Sequence, residues 1–92
     1  GEVSALFRQF LGEATWPVLE YRYEKKRRKL TFSYRWVNVV PNFELAVEVY
    51  IKGNLKTLFP TTEWQSFTEK GLESKNIVVK RQTGLYEVEE VN

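Results

Sequence analysis

The run Leu19-Glu20-Tyr21-Arg22-Tyr23-Glu24, then Lys25-Lys26-Arg27-Arg28-Lys29, then Leu30-Thr31-Phe32-Ser33-Tyr34-Arg35-Trp36 decides the fold class. Leu19, Tyr21 and Tyr23 alternate with charged residues. Leu30, Phe32, Tyr34 and Trp36 alternate with Thr31, Ser33 and Arg35. A period of two sends successive side chains to opposite faces of a strand, so each run has an apolar face and a wet face. Two such runs around a polar tip make a β-hairpin with its aromatic side turned to a core. The expected strands are 18–25 and 29–37.

Working outward, Trp16-Pro17 interrupts the chain just before the hairpin, because the residue ahead of a proline is pushed out of the α region. Upstream, Val3, Leu6, Phe7, Phe10 and Leu11 fall at helical spacing, and Gly12 is a natural stop. A helix this short is marginal alone and needs a surface. Downstream, Pro41-Asn42 reads as a turn. Phe43, Leu45, Val47, Val49 and Ile51 alternate on a third strand, and Gly53-Asn54 reads as its hairpin turn. Further strands are expected at 55–59, 62–68, 77–82 and 85–91, with Glu73-Ser74-Lys75-Asn76 in a loop. About seven short strands at this spacing point to an all-β fold, an immunoglobulin-like β-sandwich with a short N-terminal helix. The chain divides into 1–15, the helix, and 16–92, the sandwich.

The 92 residues suffice for one domain, and 42% hydrophobic content supports a packed core. With no cysteine, packing rather than disulfides must hold it. With no histidine either, the chain can build neither an imidazole or thiolate zinc site nor a Ser-His-Asp or Cys-His pair. There is also no aspartate and no D-x-D-x-D-G calcium loop. No cofactor is expected in this chain. Fourteen basic and twelve acidic residues give a net charge of +2. That balance argues against a nucleic-acid partner, and no apolar run is long enough to span a membrane. Neither partner is expected; the isolated domain is expected to be a monomer.

Three clusters invite a functional reading. Lys25–Lys29 could bind an anionic surface, but it also reads as a soluble hairpin tip that discourages edge pairing, partly neutralised by Glu20 and Glu24. The hairpin aromatics could form a stacking platform, but their alternation places them in the core. Trp64, on a weaker strand, is the better candidate for an exposed aromatic. Glu87, Glu89 and Glu90 could do acid–base work, but they read as a solvated face.

Phe7-Arg8-Gln9-Phe10-Leu11, followed by Trp16-Pro17-Val18-Leu19-Glu20-Tyr21, resembles one junction in the zinc aminopeptidases similar to aminopeptidase N, the gluzincins. There a helix ending F-x-Q-[FYW]-L closes the catalytic domain, and x-P-V-L-E opens a small β-sandwich. Leu30–Trp36 and Phe43–Val49 are similar to that domain's second and third strands, although Ala46 stands where the family often has proline. Leu58-Phe59-Pro60-Thr61 and Trp64 also fit the order of its pieces.

The family's H-E-x-x-H and G-x-M-E-N motifs are missing, so no residue inherits a catalytic role. The resemblance implies a non-catalytic domain bracing the catalytic domain of a zinc metallopeptidase. Zinc would belong to the parent's catalytic domain, the partners would be the parent's other domains, and the parent would lean toward a place outside the cytoplasm. Leu6, Phe7, Phe10, Leu11 and Trp16 would then contact the neighbouring domain. The competing expectation is an independent carbohydrate- or peptide-binding module using an aromatic face.

Overall fold

The computed structural model describes residues 16–81 and 85–91. These form seven strands: β1 (Val18–Lys26), β2 (Lys29–Val37), β3 (Val47–Ile51), β4 (Asn54–Leu58), β5 (Gln65–Lys70), β6 (Ile77–Val79) and β7 (Glu87–Glu90). The expected helix over 1–15 lies outside the described residues.

The strands build two packed sheets, one of order β5-β2-β1-β7 and one of order β4-β3-β6. The hairpin is the centre of the first. Leu19 faces Trp36, Tyr21 faces Tyr34 and Tyr23 faces Phe32 across the antiparallel pair. The alternation read from the sequence is therefore the register itself, since partners in a ladder share a face. Across the sandwich, Val47, Val49, Leu58 and Ile77 from the second sheet join Leu19, Leu30, Phe32 and Trp36 in one buried cluster.

Aromatic rings dominate that core. Phe32 sits within 5.7 Å, centroid to centroid, of Tyr21, Tyr23, Tyr34 and Phe67. Trp36 meets Phe43 and Tyr86 edge-on, each at 5.4 Å. Offset and edge-on geometries are the ones the ring quadrupole favours. Tyr86 donates its hydroxyl hydrogen bond to the Lys80 carbonyl at 2.6 Å.

Several strand limits differ from expectation, each for a local reason. β3 begins at Val47 rather than Phe43, because β4 ends opposite it at Leu58 and leaves no ladder partner further back. Phe43 still points inward and is buried. β5 begins at Gln65 rather than Thr62. The Gln65 side chain accepts from the Thr61 amide and donates to the Phe59 carbonyl, which folds 59–65 into a loop. The β3–β4 turn is Lys52-Gly53, both at positive φ, one residue ahead of the expected dipeptide. Ser74–Asn76 is a single 3-10 turn where a loop was expected, with Glu73 and Asn76 capping each other. The last strand runs parallel to β1, pairing Val18 with Glu87 and Leu19 with Val88.

Candidate functional site

Chain direction gives the sandwich two ends. β1 starts at one end, beside the last residues of β2, and runs to the hairpin tip at the other. The starting end holds Trp16, the 38–46 segment and the 59–64 loop. A backbone bond from the Trp36 amide to the Thr61 carbonyl, 2.8 Å, ties that loop to β2.

At this starting end lies an open groove of about 750 Å³, lined by Asn42–Ala46 and Phe59–Thr62. Phe59 is 71% exposed beside it, because Leu58 takes the inward position and alternation turns Phe59 out. Trp16, expected at a domain contact, is 41% exposed at the same end. The other expected contact residues, Leu6, Phe7, Phe10 and Leu11, lie outside the described residues. Phe59 has a sequence signal that was available: an aromatic residue one step beyond an inward-facing leucine, followed by Pro60.

Trp64 is half-buried rather than open. Its ring lies against the guanidinium carbons of Arg22 and Arg35, 4.3 and 4.5 Å from the ring centre. Glu20 fixes Arg35 from the other side, accepting from its Nη2 at 2.8 Å and its Nε at 2.9 Å. Glu20, Arg22 and Arg35 all occupy the outward-facing positions of β1 and β2. The resulting stack of carboxylate, guanidinium and indole lies on the outer face of the first sheet. Strand parity could have revealed these partners, but only once Trp64 is placed in a loop rather than on a strand.

Of the hairpin aromatics, Phe32, Tyr34 and Trp36 are buried in the core, and Tyr21 and Tyr23 are half-buried against it. Burial pushes the Tyr23 hydroxyl up to about 12, with Tyr21 and Glu90 adding to the effect. Tyr34 is raised by burial alone, and Tyr86 by burial and by the Glu48 carboxylate. Glu87, Glu89 and Glu90 are exposed on β7, an edge strand of the first sheet. Among the described residues no three acidic side chains group closely enough to hold a metal ion.

The basic tip is a two-residue turn. Arg27 and Arg28 occupy its two central positions at φ 52° and 65°, between the paired Lys26 and Lys29. Lys25 reaches Glu73 at 3.1 Å and, with Lys75, holds that carboxyl below its usual range.

No protein-family description matches this chain, and no curated protein is significantly similar to it.

Proposed function

We propose that the chain is a non-catalytic domain of immunoglobulin-like kind that braces the catalytic domain of an aminopeptidase N-like zinc metallopeptidase. The observation that carries the proposal is the groove lined by Phe43, Leu45, Phe59 and Pro60, at the end where β1 begins and where Trp16 is exposed. A neighbour joined through residues 1–15 would meet that end first. A rigid two-sheet block with one apolar end suits a spacer that holds a neighbour in place.

The strand order supports the immunoglobulin-like part. β1, β2 and β5 share one sheet, β3, β4 and β6 the other, and the final strand returns alongside the first. Zinc and the water it activates would belong to the parent's catalytic domain. The 92-residue protein is expected to hydrolyse no aminoacyl reporter and to bind no stoichiometric zinc. Turnover of such a reporter by the purified chain would overturn the proposal. An independent carbohydrate- or peptide-binding module using an aromatic face is the weaker alternative, because Arg22 and Arg35 already occupy the Trp64 ring.

A further inference from the structure

The even total charge hides a strong segregation. Three contacts bring separate segments to the hairpin-tip end: the Gly71 amide donates to the Arg28 carbonyl, the Lys52 amide donates to the Asn76 carbonyl, and Lys25 pairs with Glu73. The tip, the β3–β4 turn, the end of β5 and the 3-10 turn therefore share one end. That end carries Lys25 through Lys29, Lys52, Lys70 and Lys75, eight cations, against only Glu24, Glu69 and Glu73. Its net charge is +5 in a chain of net +2. The charge balance that argues against a nucleic-acid partner holds for the whole sequence and not for this end.

A second observation lies beside it. Tyr50, Leu55 and Val78 are opposite one another on β3, β4 and β6, and all three face away from the core. They are 37%, 54% and 57% exposed. The row they form lies one residue from the basic end, next to Ile51, Asn54 and Ile77.

We propose that the basic end and the Tyr50–Leu55–Val78 row form one surface that adsorbs to an anionic phospholipid bilayer. Cations drawn from both sheets make a two-dimensional array, which suits a plane better than a linear polymer. Six of the eight are lysine, a residue depleted in the cores of protein–protein interfaces but suited to a fluid layer of lipid headgroups. Aliphatic side chains beside the charges gain nothing on a nucleic-acid backbone, whereas they can enter the headgroup–acyl boundary. The Arg27-Arg28 turn points the same way. Such turns favour Asn-Gly, and two arginines there keep charge at the tip against the backbone preference. The proposal does not depend on the peptidase reading.

The test is sedimentation of the 92-residue protein with vesicles of equimolar phosphatidylserine and phosphatidylcholine, or of phosphatidylcholine alone. At about 0.1 M salt it should sediment with the anionic vesicles only, and at about 1 M salt it should be released. Arg27→Asn with Arg28→Gly should weaken this roughly twenty-five-fold, each charge being worth about a factor of five at such a surface. That pair suits the turn, so the melting temperature should not fall. Leu55→Ser with Val78→Ser should weaken it severalfold. Failure to sediment with anionic vesicles, or equal binding to neutral ones, would overturn the proposal. So would equally tight binding to duplex DNA combined with indifference to Leu55→Ser and Val78→Ser, which would assign the end to nucleic acid.

Discussion

Trp36 organises the starting end of the core. It is 1% exposed, wedged edge-on between Phe43 and Tyr86, and its indole N–H is buried with no hydrogen-bond partner among the described residues. Trp36→Ala is expected to cost about 3–5 kcal/mol, a large share of a small domain's stability. Urea unfolding would measure it. Trp36→Phe keeps much of the ring and removes the orphan donor, so it should cost clearly less. Tyr23 supplies a pH test. Its folded-state pKa, about 12, lies above the ordinary value of 10.0. The unfolded chain therefore releases this proton first. The stabilising contribution is whole below about pH 10 and is lost as pH rises through 12. Alkaline denaturation monitored between those values should show the loss, and Tyr23→Phe should reduce it.

At the scale of elements, the two hairpins differ in how well their turns suit them. Lys52-Gly53 has its glycine at φ 82°, in open space. Gly53→Ala is expected to destabilise by about 1 kcal/mol through the backbone alone. Arg27-Arg28 places two bulky residues in the same left-handed region. Replacing them with Asn-Gly should stabilise the fold by about 1–2 kcal/mol, read as a higher urea midpoint.

The elements also show what the sequence made legible. β2 begins and ends where the alternation of Leu30, Phe32, Tyr34 and Trp36 placed it, because a half-buried strand writes its period into its side chains. Phe43 and Leu45 carry the same period but belong to no strand, since alternation records burial and not the presence of a ladder partner. The parallel pairing of β7 with β1 is a long-range choice that no local pattern encodes. Strand parity puts Arg22 and Arg35 on the outer face, but that Trp64 lies over them depends on the 59–64 loop, whose path no local alternation encodes.

At the scale of the whole molecule, the sandwich has unlike ends. One carries the lead-in, Trp16, Phe59 and an apolar groove; the other carries a net charge of +5. Composition averages these ends away, which is why the total charge is a poor guide to partners here. The apolar groove at one end suits the proposed protein neighbour, and the charged end suits the proposed anionic bilayer. The most direct measurement is the sequence of the intact natural polypeptide ahead of residue 1, by transcript sequencing or mass spectrometry. A catalytic domain bearing H-E-x-x-H and a downstream glutamate is expected there. An unrelated module in that position, or a natural polypeptide that starts at this domain, would contradict it.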